Sequence, residues 1–179
     1  ARNRGATLYI PEGAARMLAE ESLEDYALGL TEWSNALSFR LLLDENGAIK
    51  ETAVLKTSIK VKRLTYTEAD SLCDSPELAP LFAIAERNVD RRKAASAVFI
   101  ELPEVHLSVK QSPGQNEREI AVNPVVPTKS SAMIREMMLL AGEGAARFAF
   151  KNNIPFPFVS QDEPSIPKDL PEGLAGQYR

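Results

Sequence analysis

The stretch ALSFRLLLDENGAIKETAVL, which runs from Ala36 to Leu55, decides the fold class of this chain. Two apolar runs, 36–43 and 48–55, flank a polar tetrapeptide that ends in Asn46 and Gly47. Both of these residues tolerate positive φ, and an Asn-Gly pair between apolar runs is a strong local signal for a tight turn. The stretch therefore predicts an antiparallel β-hairpin.

The second strand of this hairpin is expected to continue through residues 58–64. In an extended chain Ile59 and Val61 would share one face, while Lys60 and Lys62 would share the other. One face would then be apolar and the other basic. If this strand is instead an ordinary exposed edge of the sheet, its lysines would simply prevent aggregation with other strands.

Two helix starts follow the basic strand. Thr65 and Glu68 have the spacing of a capping box, which predicts a helix beginning at Tyr66. Ser75 followed by proline is a helix cap with proline at the first helical position, and it predicts a helix that runs to about Ala95. Basic side chains crowd the end of this second helix, where they either complement its dipole or contact phosphate.

The remaining segments favour a meander and a long helix. Two or three strands are expected, at 98–102, 105–110 and 119–126, with a helix at about 130–152 and an extended, proline-rich tail at 154–179. A broad apolar stripe of the helix should pack on the core: Ile134, Met137, Met138, Ala141, Ala145 and Phe148. Gly142 and Gly144 weaken a helix. We expect that they compensate by allowing close packing of the helix against a neighbouring element.

The first 35 residues add less. A short strand with a turn is expected within 1–11, and a weak helix or an irregular loop within 12–24. The whole pattern predicts an α+β fold, in which an antiparallel β-hairpin and a meander pack with two longer helices.

Composition limits the classes of function. With 179 residues, 44% hydrophobic content and a net charge of -4, the chain can bury a core of ordinary size but has no bulk basic surface. Nucleic acid would have to bind at a local patch or channel. Cys73 is the lone cysteine, which excludes an internal disulfide. No apolar run or signal-like segment indicates a membrane, so the cytoplasm is the expected location. His106 is expected on a strand surface.

No catalytic motif stands out in the chain. It has no glycine-rich phosphate loop, no His-Glu-x-x-His and no nucleophile elbow. Its adjacent acidic residues lie beside turn signals and favour solvated surface. The residues themselves therefore indicate no catalytic site and no metal site within the chain.

Four segments, in order, carry a resemblance to a known family. They are 4–11 (RGATLYIP), 62–69 (KRLTYTEA), 97–99 (AVF) and 134–142 (IREMMLLAG). They resemble segments in the catalytic (RNB) domain of the ribonuclease II and ribonuclease R family, which degrades RNA processively from its 3′ end. The resemblance implies that residues 1–179 are the central fragment of one RNB-type catalytic domain and contact its remaining parts. It also implies that magnesium is held by aspartates outside this chain.

The resemblance further implies which residues hold single-stranded RNA. Tyr9 matches the aromatic residue that packs on the 3′-terminal nucleotide, and Phe99 the aromatic residue at the far end of the stacked bases. Stacking ignores base identity, which suits an enzyme that slides along any sequence. Each ring could instead be a core residue. Tyr66 matches a family tyrosine at a helix start, where it reaches either the RNA or the hairpin above it.

Basic side chains complete the expected RNA contacts. Lys60, Lys62 and Arg63 could contact phosphates. Arg135 and Glu136 stand where the family usually has two glutamates, the first of them near the ribose 2′-hydroxyl. Because an arginine cannot accept a hydrogen bond from that hydroxyl, this substitution puts the discrimination between RNA and DNA in doubt.

Three functions stay open at this level. The first is a fragment of a metal-dependent, hydrolytic 3′-to-5′ exoribonuclease that releases 5′-mononucleotides. The second is a non-catalytic RNA-binding or assembly module, and the third is a plain α+β interaction domain.

Overall fold

The computed structural model describes residues 5–10, 13–99, 103–111 and 118–160. The described chain is α+β, as predicted, with antiparallel strand pairs and four helices within these ranges. It divides into two compact units. Unit 1 comprises residues 1–36, 58–62 and 102–126, and unit 2 comprises 37–57, 63–101 and 127–179.

Unit 1 contains two small strand pairs and a short helix. Strands β1 (Leu8–Ile10) and β2 (Gly13–Ala15) pair antiparallel, and helix α1 (Glu20–Tyr26) follows them. The segment expected to be a weak helix or a loop is therefore part strand and part helix. Gly13 adopts φ +156°, close to the limit of what other residues accept, at the start of β2.

The predicted hairpin is confirmed. Strands β3 (Ser34–Leu43) and β4 (Ile49–Ile59) pair with each other. Asp44 Oδ1 accepts hydrogen bonds from the backbone N–H groups of Asn46 and Ala48, both at 2.9 Å, and Gly47 adopts φ +79°. The turn chemistry read from the sequence thus fixes the register of the hairpin.

The predicted continuation of the hairpin's second strand to residue 64 is wrong. β4 ends at Ile59, so the basic residues that follow it are not in a strand, although the alternation of half-buried and exposed side chains continues through Lys62. In the possible strand at 98–102, residues 98 and 99 are irregular, and 100–102 lie outside the described residues. The other two strands of the predicted meander are present as the antiparallel pair β5 (Val105–Gln111) and β6 (Arg118–Pro124). His106 is exposed on β5, as expected.

The helices of unit 2 begin at their caps with one exception. Helix α2 (Tyr66–Ser71) starts with the predicted capping box of Thr65 and Glu68. Helix α3 (Ala79–Ala94) starts four residues later than its Ser75 signal, because Ser75 Oγ accepts from Leu78 N–H and closes a separate turn. Helix α4 (Lys129–Lys151) starts at Thr128, which forms a second capping box with Ser131.

The buried face of α4 differs from the predicted stripe. Ile134 is 41% exposed and Met138 69% exposed. The buried positions are Ser130, Met133, Glu136, Leu140, Gly144 and Ala149. Because apolar residues occur on most faces of this helix, spacing alone could not select the face that packs. α4 packs against both α2 and α3.

The two glycines of α4 have different surroundings. A Cβ at Gly144 would collide with the Leu41 side chain of β3, whereas a Cβ at Gly142 would meet nothing within 4 Å. The expectation of close packing is thus correct for Gly144 and wrong for Gly142.

Exchange of these glycines for alanine should separate helix propensity from packing. Gly142→Ala should raise the free energy of unfolding of the complete protein by up to about 1 kcal/mol, because alanine favours the helix and nothing opposes it. Gly144→Ala should gain nothing, since Leu41 must move aside. Denaturant unfolding of both variants measures the difference. Equal stabilisation by the two would contradict the packing of α4 on β3.

Candidate nucleic-acid interface

Three of the residues expected to contact RNA lie in unit 1. Tyr9, in the middle of β1, has 83% of its surface exposed. Lys60 Nζ lies 2.9 Å from Glu32 Oε1, and both side chains are exposed. An exposed ion pair is worth little in water, so Lys60 can exchange its partner for a phosphate. Lys62 is also exposed.

The other expected contacts lie in unit 2. Tyr66, the first residue of α2, is 52% exposed, and Arg63 before it is exposed. The Tyr66 carbonyl accepts a hydrogen bond from Ser130 Oγ at 2.9 Å, which ties the start of α2 to α4. The backbone of Tyr66 is therefore fixed, and its ring stays accessible.

Asp70 strengthens this junction of α2 and α4. Its Oδ1 accepts from Ser130 N–H at 2.7 Å and its Oδ2 from Lys129 N–H at 3.2 Å, so the carboxylate caps the positive end of α4. Hydrogen bonding from Ser130 is the main reason why the pKa of Asp70 lies below the ordinary value of 3.8. Sequence reasoning did not find this contact, because 60 residues separate its partners.

The lowered pKa of Asp70 predicts an acid-dependent stability. The carboxylate binds its proton less readily in the folded chain than in the unfolded chain, so its contribution is complete above the unfolded pKa and is lost as the pH falls through the folded pKa. Asp70→Asn should therefore lower the melting temperature of the complete protein above about pH 5, and wild type and variant should converge as the pH falls below the ordinary range of aspartate.

The control for that measurement is Asp74→Asn, which removes an exposed carboxylate four residues further along the chain. Its melting temperature should follow that of the wild type at each pH. If Asp70→Asn and wild type differ by the same amount at acid and at neutral pH, the charge of Asp70 does not cap α4.

The structure places Glu136 differently from the expectation. Its side chain is only 1% exposed, so it offers no surface for direct contact with RNA. Arg92 Nη1 donates to both of its carboxylate oxygens, at 2.8 and 3.0 Å, and Asn88 Nδ2 donates to Oε2 at 2.8 Å. Glu136 is therefore the buried centre of an ion-pair network between α3 and α4.

Arg135 is 59% exposed, as a contact with a polyanion requires. Its Nε lies 3.4 Å from Oε1 of Glu136, the long limb of the same network. Arg135 can therefore extend the end of its guanidinium to solvent while Glu136 holds its Nε in place.

A second network runs beside the first. Glu143 accepts from Arg91, at 2.6 Å, and from Arg147, at 2.8 Å. Arg147 also donates to the Ile49 carbonyl of β4 at 3.0 Å, and Arg91 donates to Asn88 Oδ1. Partial burial raises the pKa of Glu143, but the hydrogen bonds from both arginines outweigh it and lower the pKa below its ordinary value. Together these contacts join α3, α4 and the hairpin.

Phe99 lies next to the first network. It is half-buried and outside any strand, and its ring centroid is 4.9 Å from Arg92 Cζ and 5.8 Å from Lys93 Nζ. The basic residues at the end of α3 therefore differ in their contacts. Arg91 and Arg92 are held by carboxylates of α4, and Lys93 is exposed.

Within the described residues there is neither a cluster of metal-binding side chains nor a helix that could cross a membrane. In residues 5–10, 13–99, 103–111 and 118–160, no three His, Cys, Asp or Glu side chains are placed to hold one metal ion. Within the same ranges, no helix has the length and apolarity needed to cross a membrane.

Comparison with known proteins defines the class. The RNB domain family matches residues 1–169, so the chain belongs to this family. It is 33% identical, over 177 residues, to an uncharacterised ribonuclease of Synechocystis, covering 94% of this chain and 26% of that protein. It is 29% identical, over 187 residues, to the chloroplastic/mitochondrial ribonuclease II of Arabidopsis thaliana, covering 97% of this chain and 23% of the relative.

A solved structure shares the fold. Mycoplasma genitalium RNase R in complex with ribose-methylated single-stranded RNA superposes with a TM-score of 0.73 at 19% identity, over 86% of this chain and 25% of that one. The same protein has been solved in complex with double-stranded RNA. The chain therefore spans about a quarter of the length of the proteins it matches.

Proposed function

We propose that this chain is the central part of the catalytic domain of a metal-dependent, hydrolytic 3′-to-5′ exoribonuclease that degrades single-stranded RNA to 5′-mononucleotides in the cytoplasm. The observation that supports this most is the match of the RNB domain family over residues 1–169. The relatives named as ribonucleases and the RNA complexes of RNase R favour RNA as the substrate. Magnesium would be held by residues outside this chain.

The part that this chain plays in the proposed reaction is to hold the substrate. Tyr9 and Phe99 stack on bases, at about 1–3 kcal/mol per base, without selecting a sequence. Tyr66 presents an exposed ring at the start of α2. Exposed positive charge for the phosphates comes from Lys60, Lys62 and Arg63. Contacts of this kind position the RNA without recognising its sequence.

An end-labelling experiment tests the proposed activity. Single-stranded RNA, labelled either at its 5′ end or along its whole length, is incubated with the complete protein and magnesium, and the same RNA is tested with a blocked 3′ end. We expect 5′-mononucleotides, shortening from the 3′ end and protection by the block. Cleavage inside the blocked RNA would contradict an exonuclease, and binding without hydrolysis would favour the non-catalytic RNA-binding module.

Arg135 should decide how well the protein distinguishes RNA from DNA. In Arg135→Glu, the loss of positive charge should weaken the binding of any polyanion, and the new carboxylate can accept from the ribose 2′-hydroxyl. We expect a larger ratio of RNA affinity to DNA affinity. The slope of log affinity against log salt should flatten by about 0.7 for one lost contact with a single strand.

The measurement uses matched RNA and DNA oligomers at two salt concentrations. Arg135→Leu serves as the control, since it removes the charge without adding a hydrogen-bond acceptor and should change the slope but not the ratio. An unchanged ratio and an unchanged slope in Arg135→Glu would place this side chain away from the substrate.

A further inference from the structure

The ring of Phe99 lies in a segment that secondary structure does not fix. Helix α3 ends at Ala94, and Ser96 then adopts φ +64°, which turns the chain out of the helix. Phe99 follows in irregular chain. A ring that must meet a base in one orientation needs support from neighbouring side chains at such a position.

Arg92 supplies a flat surface for this ring. Its guanidinium lies over the face of Phe99, with Cζ 4.9 Å from the ring centroid. A guanidinium stacks on an aromatic face and is attracted by the π-electrons. Lys93 Nζ lies 5.8 Å from the same centroid, but its side chain is exposed and can move, so Arg92 is the cation that can hold the half-buried ring in one orientation.

Arg92 is itself held in place by a buried carboxylate. Its Nη1 lies 2.8 and 3.0 Å from the two oxygens of Glu136, a carboxylate that is 1% exposed. Asn88 Nδ2 fixes the same carboxylate at 2.8 Å. Because separation of this pair would cost the buried carboxylate its shortest contact with a positive charge, Arg92 cannot swing freely toward a phosphate.

We propose that Glu136 and Arg92 are positioning residues that act through Phe99: buried Glu136 fixes Arg92, and Arg92 fixes the ring for stacking on RNA. The proposal rests on the proposed function, in which Phe99 stacks on a base. It assigns to Glu136 a role without direct contact with RNA, and it predicts that the effect of Arg92 on binding depends on the presence of the Phe99 ring.

A double-mutant cycle on the complete protein tests this dependence. The affinity for a fluorescent single-stranded RNA is measured without divalent cations for wild type, Phe99→Ala, Arg92→Lys and the double variant. Lysine keeps the charge but lacks the planar fork. We expect Phe99→Ala to weaken binding by about 10-fold and Arg92→Lys by about 3-fold. In the Phe99→Ala background, Arg92→Lys should have almost no effect, because the ring it positions is absent.

Two further variants separate positioning from general stability. Arg147→Lys perturbs the neighbouring ion pair with Glu143 and the hydrogen bond to the Ile49 carbonyl, so it should lower the melting temperature and leave RNA affinity unchanged. Glu136→Gln should weaken RNA binding in the same direction as Arg92→Lys, again only when Phe99 is present.

Failure of the stacking role of Phe99 and failure of the positioning role of Arg92 give different results. If Phe99→Ala binds RNA as the wild type does, the stacking role in the proposed function is wrong and the positioning role falls with it. If Phe99→Ala weakens binding but Arg92→Lys is equally costly with and without the ring, the positioning role alone is wrong. In that case a flatter salt dependence of Arg92→Ala than of wild type would identify Arg92 as a phosphate contact.

Discussion

Replacing Glu136 with alanine should lower the free energy of unfolding of the complete protein by about 3 kcal/mol or more. The side chain is 1% exposed and accepts hydrogen bonds from Arg92 and Asn88. Its removal leaves the buried Asn88 amide without its acceptor and Arg92 without its counter-charge. Because Arg92 is 29% exposed, water can compensate it in part, which places the expected loss at the lower end of the range for broken buried pairs.

Denaturant unfolding measures this loss, and Glu136→Gln is the matched control. Glutamine keeps the shape and one acceptor oxygen, so it should cost less than alanine. If Glu136→Ala unfolds within about 1 kcal/mol of the wild type, the network does not hold α3 on α4 and the buried carboxylate has another role.

The second large effect concerns the product of the proposed enzyme. Tyr9→Ala in the complete protein should lengthen the shortest RNA that remains at the end of digestion, since the last few nucleotides would lose the stack that retains them. The ring is 83% exposed, so its removal costs little in packing. Loss of one stack corresponds to roughly 5- to 100-fold weaker retention of short RNA.

Gel analysis of end-labelled RNA reports the length of this limit product. Tyr26→Ala is the control, because Tyr26 is a tyrosine of similar exposure, 76%, at the end of α1 with no expected RNA contact. Its products should match those of the wild type. A limit product of unchanged length in Tyr9→Ala would contradict the stacking role of Tyr9.

Local signals in the sequence predicted those parts of the fold that local chemistry determines. The hairpin at 36–55 depends on a turn of four residues, and the start of α2 on the reciprocal cap of Thr65 and Glu68. Ser75 shows the limit of such signals. Its hydroxyl closes a turn of its own, and α3 begins after that turn.

The sequence pattern could not predict contacts between residues that lie far apart in the chain. Glu136 was expected to contact RNA, and its hydrogen bonds with Arg92, 44 residues away, and with Asn88 explain why it is buried instead. Asp70 and Ser130 meet across 60 residues in the same way. The exposed candidates Tyr9, Tyr66 and Arg135 came from the family resemblance, and their roles in RNA binding stay predictions.

The central claim is that this RNB-family chain holds single-stranded RNA by stacking, and crosslinking tests it most directly. The complete protein is irradiated with photoreactive single-stranded RNA without divalent cations, and the crosslinked peptides are mapped by mass spectrometry. We predict crosslinks in the peptides that contain Tyr9, Tyr66 and Phe99, with the Phe99 crosslink reduced in Arg92→Lys. Crosslinks confined to other parts of the protein, with none in these three peptides, would contradict the account.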